Sequence, residues 1–213
     1  MTSEADLLPL LMATTGTPAT PLVRVESGSR IRVGRVLDLG AQGVMVPQVH
    51  SADDARAVAR WMRTQPDGER GIALLTRGMD LGMVGHDQVA TRHEGLLGIV
   101  QIESRAALAD VEEMAGIDGV DVLFVGPTDL THALGIPGRT TDPLYEDAIR
   151  RVASATRAAG KAAGVLLWDT EDVRRYAGMG YTFLGLSSEA MILDRALRSL
   201  LAESRGVATM TRG

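Results

Sequence analysis

Two acidic side chains follow apolar segments at positions where they could share a metal ion. Glu103 ends the run LLGIVQIE at 96–103, and Asp129 comes shortly after the next run, VDVLFVG at 120–126. If the two runs are neighbouring parallel strands, their carboxyl ends lie at one edge of the sheet, where active sites of such folds form. Carboxylate oxygens suit a hard divalent cation such as Mg²⁺ or Mn²⁺. The alternative is that both acids cap the helices that follow them.

An arginine and a loop near the same edge could bind negative charge. Arg24 lies at the tip of the β-rich segment TPLVRV, and its guanidinium could balance an anion that develops during a reaction. An exposed salt bridge is the alternative role. In GPTDL, a Gly-Pro turn precedes Thr128 and Asp129, and backbone N–H groups of such a loop could hold a carboxylate. The same pattern is also typical of an ordinary loop between a strand and a helix.

The histidines and serines give weaker indications of chemistry. No two histidines have the spacing of a metal site, so we expect surface or capping roles for all four rather than a catalytic base. Ser187 and Ser188 follow the last apolar run without a Gly-x-Ser-x-Gly motif, which argues against a serine hydrolase. The four histidines are His50 and His132, which follow predicted strands, and His86 and His93, which lie in a glycine-rich segment.

The elements that must position these residues alternate between strands and helices. Helices are predicted from Glu4 to about Ala13, from Ile31 to Leu39, and after Ser51, which is a typical N-cap. Apolar runs alternating with helices indicate a parallel sheet covered by helices. Dinucleotide-binding and P-loop glycine motifs are absent, which favours a barrel over a doubly wound sheet. The six predicted strands, two fewer than a closed barrel needs, lie at about 20–25, 43–47, 96–103, 120–126, 162–168 and 181–186.

The segment 66–95 contains no clear strand and is rich in glycine. Irregular segments of this length inside a compact domain are uncommon and often form lids or binding loops. The alternative is a surface excursion with a short helix near 87–92.

Composition restricts the class of protein. The chain has 213 residues, 45% of them hydrophobic and 23% charged, which predicts a single globular domain over 1–213. A net charge of −5 leaves no basic surface for nucleic acid, and the absence of cysteine excludes disulfides and zinc–thiolate sites. The sequence has neither a run long enough to span a membrane nor a basic leader, so we expect a cytoplasmic protein without a membrane partner.

Three stretches of the sequence together resemble the HpcH/HpaI aldolase family. They are RVLDLGAQGVMVPQVHSADDAR, GIVQIESRAALADVEEMAGIDGVDVLFVGPTDLTHALG and GVLLWDTEDVRRYAGMGYTFLGLSSEAMIL. The resemblance extends from about Leu7 to Arg195, and VQIES and FVGPTDL are its most specific parts. It implies a (β/α)₈ TIM barrel of the phosphoenolpyruvate/pyruvate superfamily.

The resemblance also implies an activity, namely metal-dependent class II aldol cleavage or formation of 4-hydroxy-2-oxo acids, with pyruvate and an aldehyde as small-molecule partners. By position, Glu103 and Asp129 would bind Mg²⁺, Mn²⁺ or Co²⁺. Gln101 would face the 2-oxo acid, and the backbone at Thr128 and Asp129 would bind its carboxylate. Arg24 would stabilise the enolate oxygen, since a chelated metal and a nearby cation both lower the energy of that anion. A homo-oligomer, trimer or hexamer, is expected.

The chain differs from the family pattern at its N-terminus. Family members begin with a strand, a helix and a second strand that ends near a proton-transfer histidine, whereas this sequence begins at the following helix. We therefore expect an N-terminally shortened barrel of about six strands. This leaves two alternatives to an aldolase. One is a catalytically silent subunit that binds metal and a 2-oxo acid, and the other is an acyl-CoA lyase of the citrate lyase type.

Overall fold

The structure, a computed structural model, describes the backbone of residues 4–210 and the side chains of residues 5–205. The strands within this range are β1 (Leu22–Arg24), β2 (Gly43–Val46), β3 (Leu97–Ile102), β4 (Val122–Val125), β5 (Ala162–Leu167) and β6 (Tyr181–Leu186). The helices are α1 (Glu4–Ala13), α2 (Arg30–Asp38), α3 (Ala52–Met62), α4 (Val89–Glu94), α5 (Arg105–Ala109), α6 (Val111–Ala115), α7 (Pro127–Ala133), α8 (Pro143–Ala158), α9 (Val173–Met179) and α10 (Glu189–Met210).

All six strands are parallel and pair in chain order, β1-β2-β3-β4-β5-β6. Each crossover between neighbours includes helix, as parallel pairing requires. The sheet curls into a half-barrel with β1 and β6 as its edges in the described range. This confirms the predicted parallel barrel architecture with six strands.

The two faces of the sheet bury different parts of the core. Side chains alternate along a strand, so every second residue points toward the helices. On that outer face Val44, Val100, Leu123 and Val165 are fully buried against the helical layer. The concave inner face has its own smaller cluster, which centres on Ile99, Val122 and Phe124.

Helix α3 shows why the helical layer forms where it does. Ser51 accepts a hydrogen bond from the Asp54 N–H, and the Asp54 carboxylate accepts from the Ser51 N–H, so a capping box begins the helix. Its buried residues recur at helical spacing and face the sheet. They are Ala52, Ala55, Val58, Ala59 and Met62.

The glycine-rich segment 66–95 contains no strand, as predicted. It consists of 3₁₀ turns at Arg77–Gly82 and His86–Gln88 followed by α4, which ends two residues later than the short helix expected at 87–92. A separate small cluster of Met79, Val84 and Val89 supports it. Among the described residues, no helix has both the length and the apolar character needed to cross a membrane.

Candidate active site

A row of polar side chains lies at the carboxyl ends of β1 and β3. Arg24 pairs with Met45 across β1 and β2, and Met45 pairs with Ile99 on β3. Because alternate residues share a face, Gln101 and then Glu103 continue the inner face beyond Ile99. The Arg24 Nε donates a hydrogen bond to the Gln101 Oε1 over 2.6 Å. Two residues 77 positions apart in the sequence thus meet above the inner core.

Glu103 is buried and held by the backbone of the neighbouring loop. Only 8% of Glu103 is exposed, and its Oε1 accepts a hydrogen bond of 2.6 Å from the Gln48 N–H. Gln48 follows β2 with a φ of 55°, in the left-handed region that non-glycine residues rarely occupy. Such backbone strain is typical of functional sites. This contact could not be predicted from the sequence, since every residue except proline supplies a backbone N–H.

The backbone of Gly126 lies close beside the second carboxylate oxygen. A Cβ at this position would lie 3.3 Å from the Glu103 Oε2 and 3.4 Å from the Gln101 Nε2. Gly126 directly follows β4, the strand that pairs with β3. Its missing side chain therefore allows the backbone to approach both polar groups closely. Sequence reasoning treated this glycine only as part of a turn.

Thr128 and Asp129 lie in the first turn of α7, two and three residues after Gly126. Both are exposed, and N–H groups in the first turn of a helix have no partner inside the helix. The expectation that β3 and β4 are neighbours is confirmed, so Glu103 and Asp129 follow adjacent strands at the same edge. An acid in the first turn also favours the helix itself, so a capping contribution from Asp129 is compatible with this position.

The residues at this edge fit a divalent cation by their donor chemistry. In the described part of the chain, no group of three or more His, Cys, Asp or Glu side chains is arranged to hold a metal. Mg²⁺, however, is commonly bound by one or two carboxylates together with waters and substrate oxygens. The Glu103 Oε2 beside Gly126 and the exposed Asp129 carboxylate supply such a set. Without a cation, two carboxylates at this edge would repel an anionic substrate.

The other residues that the sequence singled out include His50, His132 and Ser187. The His50 Nδ1 is 3.1 Å from the Oγ of Ser104, the residue that follows Glu103 and caps α5. His132 is exposed in the last turn of α7, away from the helix start that carries Asp129. Ser187 follows β6 with a φ of 57°, and its N–H donates to the Leu167 carbonyl.

Comparison with known proteins gives consistent matches over nearly the whole chain. The hydroxypyruvate/pyruvate aldolase of Delftia acidovorans is 40% identical over 200 residues, which cover 93% of this chain and 74% of that protein. The 5-keto-4-deoxy-D-glucarate aldolase of Klebsiella pneumoniae is 35% identical over 194 residues, covering 91% and 75%.

Comparison with solved structures gives a match of similar extent. The crystal structure of an HpcH/HpaI aldolase/citrate lyase family protein from Burkholderia cenocepacia superposes with a TM-score of 0.90 at 37% identity, covering 96% of this chain and 81% of that one. The family pattern for HpcH/HpaI aldolase/citrate lyase matches residues 4–196. Sequence and architecture thus agree, and the chain belongs to the HpcH/HpaI aldolase/citrate lyase family.

Proposed function

We propose that this protein is a divalent-cation-dependent class II aldolase. It cleaves 4-hydroxy-2-oxo acids to pyruvate and an aldehyde, or forms them from these two compounds. The enzyme class, a carbon–carbon lyase of the aldolase type, follows from the family and from relatives that are named aldolases. The observation that carries the proposal is the row on the inner face beside Gly126, in which the exposed Arg24 donates to the buried Gln101 and the buried Glu103 follows.

In this proposal Glu103 and Asp129 hold the cation. When bound, a divalent cation there would act as a Lewis acid on the 2-oxo acid. Glu103 suits this role because the Gln48 N–H fixes one of its oxygens, while the other lies beside Gly126, which has no side chain to cover it. The Thr128 and Asp129 N–H groups would bind the substrate carboxylate at the start of α7.

Arg24 would stabilise the negative charge that the reaction creates. In cleavage, the C3–C4 bond breaks, its electron pair goes to the 2-oxo acid as an enolate, and the C4 hydroxyl gives its proton to water as it becomes the aldehyde. The enolate then takes a proton at C3 from water to give pyruvate. A guanidinium that is already oriented stabilises such an anion at little reorganisation cost. The hydrogen bond from the Arg24 Nε to Gln101 supplies this orientation and leaves the terminal NH groups for the substrate.

Exchange of the pyruvate methyl protons in D₂O tests the enolate step without knowledge of the aldehyde. We expect Mg²⁺-dependent loss of the methyl signal in proton NMR with the wild-type chain, and little loss with Glu103→Gln. Glu112→Gln is the matched control, because this glutamate forms a surface ion pair with Arg151 on the helical layer. Folded protein without exchange, but with Mg²⁺-dependent pyruvate binding, would contradict the proposal and favour a silent binding subunit.

We further propose that the protein is a homo-oligomer. Large apolar side chains of α10 are exposed, and both edges of the half-barrel present unpaired strands in the described range. Exposed apolar surface and open edges are usually covered in stable proteins. Light scattering after size-exclusion chromatography should give a mass above one chain, whereas a monomer at all concentrations would contradict this. The exposed residues are Ile192, Leu193, Leu197, Leu200 and Leu201.

A further inference from the structure

A cavity lies at the amino end of the sheet. The row of Arg24, Gln101 and Glu103 lies at the opposite, carboxyl end. The cavity volume is about 910 Å³, and Gln42 and Leu96, the residues that precede β2 and β3, are part of the cavity wall. The rest of the wall comes largely from the glycine-rich segment 66–95. None of the residues proposed for catalysis lines it. A volume of this size is in the range of small-molecule sites.

Two buried side chains of this cavity have polar atoms without partners. Arg70 is 6% exposed, and one of its terminal nitrogens donates to the Asp38 Oδ1 over 2.9 Å, but its Nε has no hydrogen-bond partner in the described structure. His93 is 3% exposed, and neither ring nitrogen has a partner there. Buried polar groups are nearly always hydrogen-bonded, so each exception marks a candidate binding place for a water, an ion or a ligand.

The pKa of His93 determines which hydrogen bonds its ring can form at neutral pH. Burial, with a smaller contribution from the nearby charge of Arg70, lowers the pKa of His93 to about 4. At neutral pH the ring is therefore uncharged, with one N–H donor and one acceptor nitrogen. Together with the Arg70 Nε, the cavity thus has at least two buried donors that no group in the described part of the chain uses.

Arg77 adds a third donor on the same wall. Its guanidinium donates to the Thr15 Oγ1 over 2.8 Å and lies against Gly40, where a Cβ would come within 3.0 Å of the Arg77 Nε. Gly40 has a φ of 102° at the end of α2, so both its backbone and its missing side chain suit this contact.

The charges that face the cavity leave these donors available. Arg92 is committed to Asp80, since one of its terminal nitrogens lies 3.0 Å from both carboxylate oxygens. Asp87, the other acid in the wall, folds back over Gly85, where a Cβ would lie 2.6 Å from its Oδ1. Asp38 binds a terminal nitrogen of Arg70 and leaves the Nε unpaired.

We propose that this cavity binds the phosphate group of a small molecule through Arg70, Arg77 and His93, at a site separate from the reaction centre. Three donors on three different residues match the three terminal oxygens of a phosphate better than the two oxygens of a carboxylate. The cavity is larger than inorganic phosphate requires, so the ligand is a phosphate monoester. The inference is independent of the proposed aldolase activity.

Histidine NMR tests the proposal directly, because His93 lines the cavity whereas His50 and His132 do not. We expect the ring signals of His93 to shift on titration with inorganic phosphate and with glycerol phosphate, while those of His50 and His132 stay in place. Tighter binding of glycerol phosphate identifies the monoester, and equal binding corrects the ligand to free phosphate. A His93 signal that responds to neither probe overturns the site.

Variants separate this site from the reaction centre. Arg77→Gln should raise the dissociation constant of the phosphate probe about tenfold or more, since a charge-assisted hydrogen bond is lost. Arg56→Gln, which removes two surface ion pairs, one to Asp53 and one to Glu113, is the matched control and should bind normally. Arg24→Gln should also bind normally. If Arg24→Gln loses phosphate binding and Arg77→Gln keeps it, the anion binds at the reaction centre and the proposal is wrong.

His93→Phe gives a second readout that does not depend on arginine. It keeps an aromatic ring of similar shape and removes both unpartnered nitrogens, so the folded protein should persist. Wild type should gain thermal stability from phosphate relative to chloride at equal ionic strength, because a ligand that binds only the native state stabilises it. The variant should lose most of this gain. An equal gain in both proteins would contradict a role for His93.

Discussion

At the carboxyl end of the sheet, Gln101 and Glu103 are buried and each accepts a hydrogen bond from another part of the chain. At the amino end, Arg70 and His93 are equally buried but retain polar atoms without partners. The first arrangement is oriented before any substrate arrives, which is what catalysis requires. The second gains hydrogen bonds only when something enters the cavity, which is what a binding site requires.

The largest expected difference between the carboxyl and amino ends of the sheet is in the rate of aldol cleavage. Glu103→Gln should lower the rate of pyruvate release from an aldol substrate by about 10³-fold, because one charged group of the site is lost. His93→Phe should leave the rate within about twofold, since a cavity residue away from the reacting atoms contributes little transition-state stabilisation. Rates measured at saturating Mg²⁺ check both variants. Similar losses in the two would show that the ends are not functionally distinct.

Arg24→Lys tests whether orientation at the carboxyl end matters beyond charge. Lysine keeps the positive charge but cannot donate to Gln101 and the substrate with a fixed planar group. We expect kcat to fall about 10²-fold with a smaller change in KM. Arg32→Lys is the control, because Arg32 forms an exposed ion pair with Glu26. An unchanged kcat would mean that Arg24 acts only as a point charge.

Gly126→Ala tests the space beside Glu103. The new methyl group would press on the Glu103 Oε2 and the Gln101 Nε2, and a displacement of a few tenths of an ångström should cost about tenfold in rate. Gly178→Ala is a matched control on α9, since a Cβ there meets nothing within 4 Å. Equal rates for the two variants would show that the close approach of Gly126 is not needed.

The smallest effect concerns stability against pH at the amino end. The pKa of His93 is about 4 in the folded protein and near 6.5 when unfolded, so the unfolded chain binds more protons between these values. Stability should therefore fall as pH drops from about 6.5 to about 4. Urea midpoints should show a shallower fall over this range in His93→Phe, and identical slopes would contradict a buried neutral His93.

Local patterns in the sequence predicted much of the fold. Helix α1 has the predicted bounds, and all six predicted strands are present, although β1 is shorter than the apolar run 20–25. The prediction that Glu103 and Asp129 follow adjacent strands is confirmed, since apolar runs and strand order determine it. Their roles, and those of Thr128 and the metal, remain predictions.

The contacts that shape the site could not be predicted, because they depend on packing between distant segments. The Gln48 N–H reaches Glu103 across 55 positions of sequence through a left-handed backbone. Likewise, the sequence identified the segment 66–95 as irregular but could not show that Arg70 and His93 are buried together. Their burial results from a fold of this segment that no periodic pattern encodes.

The inner face of β3 links folding to function in a way that affects how the protein can evolve. Ile99, Gln101 and Glu103 occupy successive positions of one alternating series, the first in the core and the last two at the site. Insertion or deletion of one residue before Ile99 would turn the whole series outward. Substitutions can therefore change Gln101 or Glu103 individually, but length changes in this strand would remove core and site together. Variation in length is expected in the loops, where substrate preference can change without altering this register.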